Sequence, residues 1–107
     1  MVVSRDGEFY KVTRITGPTH NFLSVKFGDT ADPHIEPLDK KEVDGLHAKD
    51  VKYQVLSGIR EANNRLCTDY QAAHIQFVRS DSPPIEIYNE LALHITLQMH
   101  RMRVSST

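Results

Sequence analysis

The chain has few of the residues that mark a specialised scaffold. Its 107 residues include one cysteine, Cys67, and no tryptophan, and no apolar run approaches the roughly 18 residues of a membrane-spanning helix. A single thiol excludes an internal disulfide framework and a cysteine-based zinc site. Arg5 and Asp6 come too early for the apolar core of a signal peptide. These absences predict a cytoplasmic protein that makes no contact with a membrane.

The chain also lacks an excess of charge of either sign. Thirteen Lys and Arg residues stand against 14 Asp and Glu residues, so the formal net charge is −1. The composition therefore argues against nucleic-acid binding, because such binding depends on a basic excess that neutralises phosphates. Residues 29–50 concentrate seven acids and three bases, but without the ligand spacing of a calcium loop, so this run predicts a solvated loop.

The strand patterns lie mainly in the first third of the chain. Residues 8–16 and 22–27 mix or alternate apolar and polar side chains, with Gly17 and Pro18 in the turn between them, which predicts a hairpin. Residues 28–46 read as a loop, with one short edge strand around His34 to Leu38. A later alternation over residues 72–78 predicts a further strand.

Two helices are predicted from apolar residues at helical spacing. The first covers residues 47–67, and Gly58 inside it suggests close packing against a neighbour. The second follows a cap at Asp81 or Ser82 and runs to about Met102. The predicted inward residues are Val51, Val55, Ile59, Ala62 and Leu66 on the first helix, and Ile85, Tyr88, Ala92, Ile95, Met99 and Met102 on the second.

The resulting element order is β-β-(β)-α-β-α. It predicts an α+β fold, a two-layer α/β sandwich in which two helices cover one face of a mostly antiparallel sheet. The length suits a single domain over residues 1–107, with residues 104–107 as a loose tail.

No motif predicts a catalytic residue, a cofactor or a metal site. The nucleotide-binding glycine patterns, the nucleophile elbow and the paired cysteines are all absent from the sequence. Cys67 is expected to be a partly buried structural thiol. The histidines show no helical ligand pairing and are expected to be scattered surface imidazoles: His20, His34, His47, His74, His94 and His100.

The main functional prediction is a small cytosolic, noncatalytic binding or assembly module. Helical geometry turns Leu93 and Leu97 away from the predicted core, and Glu90 and Arg101 belong to their polar rim. An antiparallel pairing of this helix with its copy would bring Glu90 of one chain near Arg101 of the other. A homodimer or a protein partner at these four residues is therefore predicted.

One segment resembles a known family. A V-x-x-G-I-x-E-A run over residues 55–62 is followed by the predicted strand and the second helix. This arrangement resembles the second half of domain IV of translation elongation factor G, and the element order resembles the wider class of the ribosomal protein S5 C-terminal domain. The chain has Arg79 to Pro84 where the factor carries a D-G-x-x-H segment, and it lacks the factor's glycine-rich opening.

Two alternative functions stay open. The resemblance implies an RNA- or ribosome-associated domain, for which Lys52, Arg60 and Arg65 on the outer side of the first helix are the candidate contacts. The other alternative is a small enzyme in which a histidine works with Asp81 or Glu36, an arrangement that depends on convergence in space.

Overall fold

Strands and helices follow each other in the predicted order, with one strand added at the start. The computed structural model describes residues 2–16, 19–30, 32–38, 45–78 and 87–105. Within these ranges the elements are β1 (Val3–Asp6), β2 (Phe9–Thr16), β3 (Thr19–Phe27), β4 (His34–Pro37), α1 (Gly45–Leu66), β5 (Ala72–Phe77) and α2 (Ile87–Ser105). The predicted cap at Asp81 or Ser82 lies outside the described residues.

The strands form one sheet in the order β1-β2-β3-β5-β4. Neighbouring strands are antiparallel except β4, which pairs in parallel with β5 at the edge of the sheet. The predicted α+β class and the mostly antiparallel sheet are confirmed. The short edge strand predicted around residues 34–38 is confirmed as β4. The edge position explains why Pro37 is tolerated, since its missing N–H costs no hydrogen bond of the sheet there.

Strand β1 is an element that the sequence patterns above do not predict. It is joined to β2 by a two-residue turn, since Asp6 pairs with Phe9. Gly7 occupies the first turn position with φ of 63°, a conformation that type II′ hairpin turns assign to glycine. The signal that could have revealed this hairpin is a glycine, Gly7, at the first position of a two-residue turn before an apolar stretch.

Both helices pack on the same face of the sheet. Helix α2 contacts β1, β2 and β3, whereas α1 contacts β4 and β5. The inward stripe predicted for α1 is confirmed at four positions, and its fifth member, Leu66, is half-buried. The sheet contributes alternate side chains to the same core: Tyr10, Val12, Leu23, Val25, Ile75 and Phe77.

Gly58 lies where α1 meets α2, as its position in the sequence suggests. A methyl group added at Gly58 would overlap the backbone oxygen of Asn89 and stand 3.0 Å from the Cβ of Ala92. The two helix backbones approach each other closely only because residue 58 has no side chain.

Helix α2 buries a wider stripe than predicted because it packs against both the sheet and α1. Leu91 is fully buried although the pattern did not select it. Met102 is 36% exposed, so its predicted core position is wrong. Leu93 and Leu97 are half-buried and do not stand free of the fold. Val104 and Ser105 belong to α2, which extends beyond its predicted end at about Met102.

The C-terminus of α1 is closed by a capping motif. Cys67 has φ of 57°, and the N–H of Thr68 donates to the carbonyl of Asn63 at 3.1 Å, the pattern in which glycine usually occupies the residue after the helix. Cys67 is exposed, so its predicted partial burial is wrong. The helix ends at Leu66 and Cys67 is left-handed, so the helical direction assumed for the Cys67 side chain does not apply.

Candidate metal-binding site

Two histidines and a carboxylate meet on the sheet face opposite the described helices. His34 and Glu36 project from β4 on the same side, because they are two residues apart on a strand. Ile35, between them, packs against the core. On β5, His74 lies directly opposite His34 in the parallel register. Buried Ile75 fixes the direction of its neighbour His74, which must point away from the core.

The three side chains lie within reach of a single ion. Each offers one ligand atom, and these atoms all lie within 4.8 Å of one another. The Nε2 of His74 is 2.7 Å from Oε1 of Glu36. The rings of His34 and His74 meet edge to face with centroids 4.8 Å apart. Atoms that each bind one ion at about 2 Å lie at most about 4 Å apart, so the widest spacing must close by roughly 1 Å through side-chain rotation.

The neighbours of Glu36 keep its carboxylate ionised. Gln76 donates an amide hydrogen to Oε1 at 3.2 Å, and His74 shares the same oxygen. These two hydrogen bonds lower the pKa of the Glu36 carboxyl from its ordinary value. The carboxylate is therefore charged at neutral pH and available to a cation, as a metal ligand must be.

Further contacts orient the His74 ring from the side of β2. The ring of Phe9 meets it edge to face at a centroid distance of 5.2 Å. Lys26, the partner of His74 across the β3–β5 ladder, pairs through Nζ with Oε2 of Glu8 at 2.9 Å. This pairing leaves the nearest lysine in the register charge-compensated, which reduces the repulsion that a bound cation would meet.

Two imidazoles and a carboxylate suit the divalent transition metals. Imidazole binds zinc, copper, nickel and iron, and a set of two histidines with one carboxylate leaves coordination positions open to water or another ligand. The site is accessible to solvent: the Glu36 and His74 side chains are 41% and 27% exposed, and His34 is exposed. The hydrogen bond between Nε2 of His74 and Oε1 of Glu36 must open if both of these atoms are to bind the ion.

The histidine patterns in the sequence do not predict this cluster. Helical spacing would pair ligands on one helix, whereas these ligands follow the two-residue period of a strand and combine residues 38 positions apart. The signal in the sequence is His34-x-Glu36 within the short strand predicted in the 28–46 loop. The enzyme alternative pairs Glu36 with a histidine, and the structure brings His74 to Glu36. Asp81 and the side chains of His20 and His47 lie outside the described residues.

The predicted partner-binding residues occupy different surroundings along α2. Leu97 and Arg101 line a shallow surface depression of about 300 Å³ together with Leu66, His100 and Val104. Glu90 is exposed near the other end of the helix, and Leu93 is half-buried between them. Leu97 and Arg101 therefore share a concave surface.

The predicted nucleic-acid contacts are largely neutralised. Lys52 pairs with Asp32, and Arg65 pairs with Glu61 at 2.9 Å, whereas Arg60 is exposed. Paired cations gain less from a phosphate, because they must first leave a carboxylate. The arrangement gives RNA binding no added support.

Comparison with protein-family models, curated proteins and solved structures finds no match to this chain. The resemblance to elongation factor G and to the ribosomal protein S5 class therefore stays a prediction. Neither described helix combines the length and apolar character needed to cross a membrane.

Proposed function

We propose that the chain is a noncatalytic binding module whose ligand is a divalent transition metal ion, held by His34, Glu36 and His74. The convergence of these three ligand atoms within 4.8 Å is the observation that carries the proposal. The ionised carboxylate compensates part of the metal charge, and Ile35 and Ile75, which pack toward the core beside the ligands, fix the directions of the ligands. Binding is favoured over catalysis because the ligands stand on an open face, whereas catalytic metals usually occupy clefts that exclude water.

Metal titration of the full chain tests the proposal. We expect one zinc ion per chain, and a Glu36→Gln or His34→Ala variant should bind it at least about tenfold more weakly, since even the loss of an outer-shell partner has an effect of that size. Cobalt(II) in the same site should report its coordination through its visible spectrum. Isothermal titration against a competing chelator measures the affinities.

A matched histidine control separates this site from general imidazole binding. His94 on α2 is half-buried and lies outside the cluster, so His94→Ala should retain the parent's zinc affinity. A parent that takes up no zinc, or cluster variants that bind as tightly as the parent, would show that these residues do not form a metal site.

Assembly through α2 is a second proposal, supported by the depression that contains Leu97 and Arg101. The proposed occupant is a second copy of the chain, because Glu90 and Arg101 at opposite ends of α2 would complement each other in an antiparallel pair. Light scattering at high micromolar concentration should show a dimer for the parent and a folded monomer for Leu97→Glu. Met102→Glu, outside the depression, should remain dimeric; a monomeric parent contradicts the proposal.

The cytoplasm is the proposed location. The single cysteine, exposed at Cys67, suits a reducing compartment in which a free thiol persists.

A further inference from the structure

A second concave surface lies on the helix side of the sheet, next to α1. It has a volume of about 300 Å³, at the lower end of the range for ligand pockets. Helix α1 contributes Leu56, Ile59 and Arg60, which share one side of the helix at spacings of three and four residues. The opposite wall comes from Thr30 and Pro33 before β4 and from Tyr70 and Gln71 before β5.

The floor of this pocket is apolar and its rim is polar. Ile59 and Pro33 are buried and Leu56 is half-buried, whereas Arg60 and Gln71 are exposed. The hydroxyl of Tyr70 is already bound to Nδ1 of His100 at 2.7 Å. The Asn63 side chain is likewise bonded to Tyr70 and Thr68, and the Thr30 hydroxyl to the backbone of Asp32. Among the described lining residues, the polar groups left to meet a ligand are the guanidinium of Arg60 and the side-chain amide of Gln71.

Arg60 differs from the two paired cations of the same helix. Within the described part of the chain, Lys52 and Arg65 each have a carboxylate partner, and no ion pair involves Arg60. Among the described residues that line the pocket, Arg60 alone carries a charge, so one positive charge lies beside the apolar floor. One negative charge balances it; a doubly charged phosphate ester would remain partly uncompensated.

We infer that this pocket binds a small amphipathic monocarboxylate. The carboxylate lies against the Arg60 guanidinium, whose fork of N–H groups matches two carboxylate oxygens. The apolar tail lies against Leu56, Ile59 and Pro33, so that the tail itself and the exposed part of half-buried Leu56 leave water. This site is separate from the metal cluster, which lies on the other face of the sheet.

The experiment is an NMR titration of the isotopically labelled full chain with octanoate. We expect saturable shifts at the amides of residues 56–60 and 70–72 at millimolar ligand. Octanol and octylamine have the same tail without the negative charge, and both should bind more weakly than octanoate. Octyl phosphate carries the second charge and should also bind more weakly.

Two arginine variants decide the role of the charge. Arg60→Gln should weaken octanoate binding about tenfold and remove the preference for octanoate over octanol. Arg65→Gln removes an arginine that already has a partner, Glu61. This variant should therefore keep the parent's affinity for octanoate and its preference for octanoate over octanol. Both residues are exposed, so circular dichroism should report a native fold for each variant.

The inference is wrong if octanoate produces no saturable shift, if its shifts map away from the pocket, or if Arg60→Gln binds as tightly as the parent. It is equally wrong if octanol or octyl phosphate binds as well as octanoate. Zinc binding and its variants are unaffected by any of these results, so the two proposals can fail separately.

Discussion

The Gly58→Ala variant is expected to be less stable than the parent by about 1–3 kcal/mol, the usual range for overpacking. Helix propensity alone has the opposite sign, since alanine within a helix is favoured over glycine by up to about 1 kcal/mol. The packing effect should win because the new methyl group would overlap the backbone oxygen of Asn89, which cannot rotate away as a side chain does. Urea denaturation followed by circular dichroism measures the difference.

Asn64, on the same helix, provides a control for helix propensity. Asn64 is exposed on the same helix, so Asn64→Ala should be neutral or slightly stabilising, as propensity alone would have it. Gly58→Leu places a far larger group at the crossing and should prevent native folding. If Gly58→Ala is as stable as Asn64→Ala, the two helices do not approach as closely as described.

The Asn63→Ala variant is expected to lose about 2–4 kcal/mol, because it deprives two backbone groups of their partners. The amide of Asn63 donates to the carbonyl of Tyr70 at 3.0 Å, and its Oδ1 accepts from the Tyr70 N–H at 2.9 Å. The same oxygen accepts from the hydroxyl of Thr68 at 2.8 Å. One side chain thus anchors the turn between α1 and β5, and denaturant midpoints should reveal its loss.

Asn63→Asp separates the hydrogen bond that the Asn63 side chain donates from those that it accepts. An aspartate keeps an oxygen for the Tyr70 N–H and the Thr68 hydroxyl, but it places a second oxygen against the Tyr70 carbonyl. Its stability should therefore fall between those of the parent and Asn63→Ala. Equal stability of Asn63→Ala and Asn64→Ala would mean that the anchoring bonds contribute nothing.

Local patterns in the sequence were sufficient for most of the secondary structure. The stripe on α1 predicts its buried side because most contacts of that helix are with α2 and few are with the sheet. Gly58 marks the crossing because glycine is unfavourable within a helix unless close packing requires it. The sequence also predicts the edge strand β4, although that strand contains Pro37. The buried residues of α2 are harder to predict from the sequence, because this helix packs extensively against both the sheet and α1. Leu91 is therefore buried, and Leu93 and Leu97 are half-buried, although they lie outside the single predicted stripe.

The metal cluster could not be derived from the same patterns. His34 and Glu36 are adjacent on one face of β4 by strand period alone, but nothing local states that β4 pairs with β5 or that His34 stands opposite His74. That register depends on the packing of Ile35 and Ile75 beneath α1, a property of the whole core. The pocket beside Arg60 likewise combines three separate segments of the chain.

The metal ligands lie on β4 and β5, the two strands that α1 connects. These two strands are parallel neighbours, so α1 is the connection that carries the chain back to pair them. An ion held by Glu36 and His74 would cross-link positions separated by 38 residues and close that crossover into a ring. A single cysteine denies this chain an internal disulfide. A metal ion bound by the two histidines and the glutamate would instead be a reversible cross-link, which would hold the edge strand to the sheet for as long as the ion stays bound.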